Sequence, residues 1–221
     1  MSQTQIISVV VIIGCTLITA FIFNYLKKKK YNDLVTLLQA ENYEEFDKMM
    51  ESKMVMILFP PFNLDYLRLN SAILRNDEKM ILDCFKVFDK HRLNTKQAQE
   101  VYMKGFNYFI TIENYDLAKY YLDKINELDN EQMKYEANRI YDIYALKGYK
   151  YLDDMLEETD NLDDMYKGVN EFLISLMYEN KGDKQKAREY HNLSEKHMKL
   201  LDRRISQDMK EKKKAQEKKH K

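Results

Sequence analysis

Apolar residues follow two different patterns along this chain. Near the N-terminus, Ile6 to Leu26 form one continuous run of 21 uncharged, mostly apolar residues. From residue 31 onwards, apolar positions instead recur three and four residues apart, which is the spacing of one face of an α-helix. The sequence therefore predicts an all-α protein in which one apolar helix is followed by a series of amphipathic helices.

The apolar run has the length of a transmembrane helix. As a helix it spans about 30 Å, which matches the hydrocarbon core of a bilayer. Lys27, Lys28, Lys29 and Lys30 follow the run directly, whereas no charged side chain precedes it. Because cytoplasmic flanks carry the excess of basic residues, we predict a single-pass cell-membrane protein with residues 31–221 in the cytoplasm. The four lysines are its predicted contacts with the membrane surface.

Two other interpretations of this run stay open. A cleaved signal peptide requires a shorter run with positive charge before it, whereas here the charge follows a longer run. The segment Ile12-Ile13-Gly14-Cys15 resembles the lipid-attachment segment of bacterial lipoproteins. No basic residue precedes it, however, and the apolar residues continue well past Cys15, which favours a membrane helix.

Short polar breaks interrupt the amphipathic pattern at regular intervals. They are Asn42-Tyr43, Asn76-Asp77, Asn114-Tyr115, Gly148-Tyr149 and Gly182-Asp183. Their first residues are 34, 38, 34 and 34 positions apart, and the longer interval holds a polar segment at 90–97. A period near 34 residues is typical of helix–turn–helix solenoids, in which each hairpin covers the apolar face of the next.

Two of these breaks belong to a longer shared motif, at residues 113–121 and 181–190. In both, a small residue, Ala118 or Ala187, is followed three positions later by an aromatic one. Together with the period over roughly residues 31–200, these segments resemble the tetratricopeptide repeat family. The family's first-helix Trp is absent, and Gly105-Phe106 stands in place of its Leu-Gly pair. The resemblance implies an α-solenoid of helical hairpins that binds a protein or peptide on the concave surface of its first helices.

The resemblance also implies which residues face that partner. Carried over onto this sequence, the partner-binding groove comprises Met103, Asn107, Tyr135, Asn138, Asp142 and Phe172, with Ile110 and Leu176 beside them. Amide side chains suit such a groove because each offers a donor and an acceptor to a peptide backbone. The alternative is that Phe172 and Leu176 belong to the core and that Asn138 is ordinary surface.

Three segments are less regular than the repeats. Residues 31–52 form either a cap or a continuation of the membrane helix. Residues 54–59 are expected to pack onto the solenoid, and a new helix is expected to begin near Asn63 as its N-cap. The last helix is predicted from Asp183 to Lys212, and its end is expected to project beyond the preceding helix. It then serves as a cap, as a return to the membrane, or as a coiled-coil contact with another chain.

Charge divides the chain into three parts. Lys27–Lys30 contribute +4, and the end of the chain from Lys210 holds seven Lys and two Glu, giving +5, so residues 31–209 carry −9. We therefore predict a membrane anchor with a basic flank (1–30), a repeat domain (31–205) and a basic tail (206–221). The tail suits anionic lipid. Its positive charge also suits RNA. However, no aromatic side chains that could stack on bases accompany Arg203-Arg204, which argues against nucleic-acid binding.

The sequence contains no motif for catalysis, cofactor binding or metal binding. Its glycines are isolated, its four histidines lack the paired spacing of a zinc helix, and two cysteines cannot build a disulfide framework. The acidic stretch 153–164 lacks the alternating ligands of a Ca²⁺ loop. We expect no cofactor and no metal, and an interaction scaffold rather than an enzyme. A homo-oligomeric structural protein, assembled through its membrane helix or its last helix, and an enzyme with an unrecognised site are the other hypotheses.

Overall fold

The computed structural model describes the backbone of residues 3–219 and the side chains of residues 17–210. Its regular structure in these residues is helical throughout, which confirms the all-α prediction. The described residues form eleven helices: α1 (Gln3–Gln39), α2 (Tyr43–Met50), α3 (Lys53–Leu58), α4 (Pro61–Leu74), α5 (Glu78–Phe88), α6 (Thr95–Thr111), α7 (Tyr115–Asn126), α8 (Glu131–Tyr144), α9 (Leu152–Asp160), α10 (Asp164–Lys181) and α11 (Lys184–Lys219).

The chain divides into two compact units at the polar segment between α5 and α6. Unit 1 spans Met1–Leu93 and holds α1 to α5, whereas unit 2 spans Asn94–Lys221 and holds α6 to α11. The predicted repeat domain at 31–205 was defined by sequence period, and it stays a prediction.

In unit 1, the C-terminal part of α1 belongs to the folded core. Leu34 and Leu38 of α1 are buried, and they pack with residues of α2, α3 and α4. The core cluster is Leu34, Leu38, Phe46, Met50, Val55, Leu58, Phe59, Leu64 and Leu67. Since α1 is continuous through Gln39, residues 31–39 continue the N-terminal helix rather than forming a separate cap.

The predicted membrane-spanning run lies on α1. Its residues 6–16, with Cys15, fall outside the side chains that the structure describes, whereas Leu17, Ile18, Phe21 and Ile22 are exposed. Among the described residues, no helix combines the length and the apolar character that a bilayer crossing requires. The anchor and its orientation therefore stay predictions.

In unit 2, helices pack in sequential pairs. α6 packs against α7, and α10 packs against both α9 and α11. α8 contacts α6, α7 and α10, so it packs against helices both before and after it in the chain. Repeat proteins bury their cores in this way, since each pair covers the apolar face of the next.

One type of turn ends four of the helices at the breaks noted in the sequence. The residues in the left-handed backbone region at these turns are Glu41, Asn76, Glu113 and Gly182, with φ between 54° and 87°. At the third turn, Asn114 donates its backbone N–H to the carbonyl of Phe109 at 2.9 Å, which closes α6. The side-chain Oδ1 of Asn114 then accepts the N–H of Leu117 at 3.2 Å, which opens α7. Asn42, Asp77 and Asp183 make the same two contacts.

Two predicted helix bounds need correction. Residues 53–58 form α3, and α4 begins at Pro61 with Pro60 as its N-cap, so Asn63 lies inside the helix. Pro suits the first helical turn because its φ is fixed near the helical value and its missing N–H has no helical partner there. At the other end of the chain, α11 continues past Lys212 to Lys219.

Replacing Glu113 by Gly is expected to stabilise unit 2. An L-residue in the left-handed region costs about 1–2 kcal/mol, which the greater freedom of Gly in the unfolded chain partly offsets. Urea denaturation followed by circular dichroism should show the free energy of unfolding rising by about 0.5–1 kcal/mol. Gly182→Ala is the opposite control, because φ is 87° there and no atom lies near the added Cβ. It should lower stability, and two variants that both match the parent protein would contradict the role of the turn.

Candidate protein-binding groove

On α6, the residues Met103 and Asn107 lie on one face. Asn107 is exposed and Met103 is half-buried, and with Lys96, Glu100 and Thr111 they form a stripe at three- and four-residue spacing. The neighbouring Ile110 is 7% exposed and belongs to the core. The outer face of α6 is therefore mostly polar, with Met103 as its apolar contact.

On α8, Tyr135 and Asn138 contact neighbouring helices of unit 2. The Tyr135 hydroxyl donates to Oδ2 of Asp154 at 3.4 Å, and its ring meets that of Tyr151 edge to face with centroids 5.4 Å apart. Burial raises the pKa of the Tyr135 phenol above its usual value. The Asn138 amide donates to Oδ1 of Asn126 at 2.7 Å, which joins α8 to the end of α7. These side chains hold helices together in the free protein.

Asp142 closes the loop between α8 and α9. Its carbonyl accepts the N–H of Gly148 at 2.8 Å, and its Oδ2 accepts the N–H of Lys150 at 3.2 Å. A Cβ at Gly148 would lie 2.4 Å from the Asp142 carboxylate oxygens, so a larger residue there would displace this carboxylate. From α10, the Asn180 amide donates to the carbonyls of Ile143 and Gly148, both at 3.0 Å. The break at Gly148 is therefore a hydrogen-bonded loop rather than the turn of the other four breaks.

Phe172 lines a groove between α10 and α11, which we call the α10–α11 groove. Its apolar floor consists of Phe172 and Leu176 from α10 and Ala187 from α11. The groove encloses about 510 Å³, and the Phe172 ring lies 6.3 Å from the ring of His191 at one side. Phe172 and Leu176 also pack against the core of unit 2, whereas contact with a partner stays a prediction for both. The groove can take one large apolar side chain of a ligand.

The rim of the α10–α11 groove is charged. Lys184 and Arg188 contribute positive charge from α11, and Glu179 contributes one negative charge from α10. All three side chains are exposed, and His191 lies 3.7 Å from Glu195 between Nε2 and Oε1. Because the rim carries more positive than negative charge, it favours a ligand with acidic residues beside its apolar anchor.

Buried polar contacts fix α11 against α10. Oε2 of Glu171 and Nδ1 of His197 lie 2.7 Å apart, and the two residues are only 3% and 6% exposed. The Ser194 hydroxyl donates to the carbonyl of Gly168 at 2.7 Å. At this point the helices approach so closely that a Cβ on Gly168 would lie 2.9 Å from the backbone N of Met198. Sliding one helix would break these contacts, so they also set where the two walls of the groove meet.

Sequence reasoning missed this pairing. In the sequence, Gly168 is one of several isolated glycines, His197 lacks the paired spacing of a zinc helix, and Glu171 was assigned no role. The available signal was a charged residue, Glu171, within an apolar part of α10, together with a His on the next helix, α11.

In unit 1, Asp65, Arg68, His91 and Cys84 form a cluster of titratable residues. Asp65 binds Arg68 at 2.8 Å and His91 at 3.0 Å, near the buried Cys84. Burial, and secondarily the charge of Asp65, raise the pKa of the Cys84 thiol, which disfavours the nucleophilic thiolate. Among the described side chains, no group of three or more His, Cys, Asp or Glu residues is placed to hold a metal ion.

The lysines predicted at the membrane surface lie on α1. Lys28 and Lys29 are exposed, and Lys30 lies 3.8 Å from Asp33 between Nζ and Oδ2. Nζ of Lys27 lies 5.9 Å from the centre of the Phe59 ring. In the basic tail, residues 211–221 lie outside the described side chains.

Comparisons with protein-family models, curated proteins and solved structures found no match to this chain. The likeness to tetratricopeptide repeats therefore rests on the residues quoted above and on the packing of unit 2. That packing establishes sequential helix pairs in an all-α protein.

Substituting His197 with Ala is expected to destabilise unit 2 strongly. The change leaves the Glu171 carboxylate buried without its partner, which costs about 3–5 kcal/mol in comparable pairs. A matched double variant, Glu171→Met with His197→Phe, removes both polar groups and keeps similar volume, so most of the stability should return. Urea denaturation of the three proteins measures both effects. A single variant as stable as the parent would show that the pair does not hold α11 to α10.

Proposed function

We propose that this protein is a membrane-anchored interaction scaffold. In this proposal, α1 tethers the chain to the cell membrane, and the tetratricopeptide-like unit 2 recruits a cytoplasmic protein. The partner contributes a peptide segment with an apolar anchor flanked by acidic residues, which binds in the α10–α11 groove. The observation that carries the proposal is this groove, with its apolar floor and basic rim.

The anchoring part is supported by the sequence and by the continuity of α1. The run Ile6 to Leu26 has the length of a membrane span, and its described residues Leu17, Ile18, Phe21, Ile22 and Phe23 are exposed. The same helix then continues into the core at Leu34, only about 12 Å beyond Leu26. A folded body joined in this way needs no flexible linker to stay at the membrane surface.

The repeat part is supported by the helix pairs of unit 2. Small residues lie where the helices of the first pair come close, as the family resemblance implies. Ala118 is completely buried, and a Cβ on Gly105 would lie 2.9 Å from the ring of Tyr121. The turn at Glu113 that joins this pair belongs to the type that recurs at the sequence period.

Among the predicted groove residues, the structure favours Phe172 as a partner contact. Tyr135, Asn138 and Asp142 already have partners within the protein. Asn107 remains exposed on a mostly polar face of α6. The proposal therefore centres on the α10–α11 groove.

Replacing Arg188 by Glu is expected to weaken peptide binding about tenfold, because it inverts the charge of the rim beside an acidic ligand. Full-length protein in lipid nanodiscs is used to select peptides from a displayed random library. Selected peptides should share an aromatic or aliphatic residue next to Asp or Glu, and fluorescence polarisation then gives their Kd.

The matched control is Arg203→Glu, a charge reversal at an exposed position of the same helix outside the groove. It should leave Kd unchanged. Selected peptides without acidic residues, or equal weakening by both variants, would contradict the proposed ligand.

A second candidate function is self-association through α11. Contacts between Gly168 and Met198 place the start of α10 beside about residue 201, so the rest of α11 extends beyond its partner. In that part, Ile205 and Met209 are 46% and 62% exposed at four-residue spacing. Light scattering in detergent tests this candidate, which predicts an oligomer that is lost when residues 200–221 are deleted.

A further inference from the structure

A short helix of unit 1 has apolar residues on all sides. Helix α3 carries the sequence Lys-Met-Val-Met-Ile-Leu, so Lys53 is its one charged residue. One side is buried in the core, whereas Met54, Met56 and Ile57 are 48%, 51% and 74% exposed. A helix that is apolar all round is normally enclosed by protein or by lipid. The protein covers only one side of α3.

Helix α3 packs beside the end of the apolar run of α1. It packs against α1, and the core cluster that it joins also contacts Leu26, the last residue of the apolar run. Directly after α3, the buried Phe59 lies under Nζ of Lys27, at 5.9 Å from the ring centre. Helix α3 therefore lies beside α1 where the apolar run ends and the lysines begin.

The charges around α3 indicate the class of its partner. Lys28 and Lys29 on α1 and Lys53 on α3 are exposed, and the two helices that carry them pack against each other. Apolar side chains bordered by lysines are typical of segments that lie in the headgroup region of anionic membranes. A lysine near such a surface contributes about 1 kcal/mol of attraction. Residues 31–209 carry −9 overall and are repelled by anionic lipid, so attraction to such a surface has to come from lysines like these.

We propose that α3 is a second membrane contact, lying in the interface of an anionic bilayer beside the anchor. Met54, Met56 and Ile57 insert among the lipids, while Lys28, Lys29 and Lys53 contact anionic headgroups. The inference rests on the proposed anchoring of α1. It adds that unit 1 is held at two places and so has a defined orientation to the bilayer.

Single tryptophans test this directly, because the chain contains none. Full-length variants are reconstituted in vesicles of phosphatidylcholine and phosphatidylserine whose acyl chains are either normal or brominated, since bromine quenches nearby tryptophan. Phe21→Trp reports on the anchor, Ile57→Trp on α3, and Leu146→Trp on an exposed apolar position of unit 2. Circular dichroism verifies that each variant keeps its helix content.

Brominated lipid is expected to reduce the fluorescence of Phe21→Trp and Ile57→Trp and to leave that of Leu146→Trp unchanged. Quenching at position 21 without quenching at 57 would overturn the inference and leave the anchor standing. A blue-shifted but unquenched Ile57→Trp would show a second protein chain on α3, and would overturn it too. Without quenching at position 21, the proposed anchoring itself fails, and quenching at 146 would show unspecific adsorption.

The lipid charge separates the role of the lysines from that of the apolar residues. When phosphatidylcholine replaces phosphatidylserine, quenching of Ile57→Trp should fall and that of Phe21→Trp should stay the same. Equal quenching of Ile57→Trp in the two lipids would show that the lysines do not direct α3 to anionic headgroups.

Discussion

Helix ends leave backbone groups without helical partners, and in this chain one residue often serves two ends at once. Asn114 gives its N–H to the end of α6 and its side-chain oxygen to the start of α7. Such a turn is short, so the two helices must lie side by side and bury their apolar faces against each other. At all four such turns the residue that performs both tasks is Asn or Asp, and a left-handed residue precedes it. The packing of the hairpins follows from this requirement.

The same constraint sets the geometry of the α10–α11 groove. Gly182 and Asp183 form the turn between these helices, and the positions of all later contacts are counted from it. The turn makes the two helices antiparallel, which brings Gly168 beside Met198 and Glu171 beside His197. Phe172 and Ala187 then face one another across a gap that no side chain of either helix fills. A binding surface thus results from the regular pairing of two helices.

Sequence periodicity predicted the helices and turns well because both depend on local rules. Stripes at three- and four-residue spacing gave the amphipathic helices, and the recurring Asn or Gly gave their ends. The start of α4 was predicted wrongly. Asn63 is a residue type that often caps helices, but Pro61 fits the first helical position because its φ is fixed near the helical value. The groove residues were harder to predict. The repeat period places Asp142 at a partner-facing position. In the structure its carboxylate accepts the N–H of Lys150 in the loop that contains Gly148, a contact that the period does not indicate.

The unbroken course of α1 has a mechanical consequence. Between Leu26 and Leu34 the chain has no turn and no glycine, so a rotation of one end of this helical segment also rotates the other end. Each residue of an α-helix turns the chain by about 100°. If α1 is inserted in a bilayer, adding or deleting one residue among the lysines would rotate the core of unit 1 about the axis of α1. Helix α3 would then lie on a different side of the apolar part of α1. The number of residues between the apolar run and the core, and not only their identity, therefore sets the rotational orientation of unit 1 relative to the apolar part of α1.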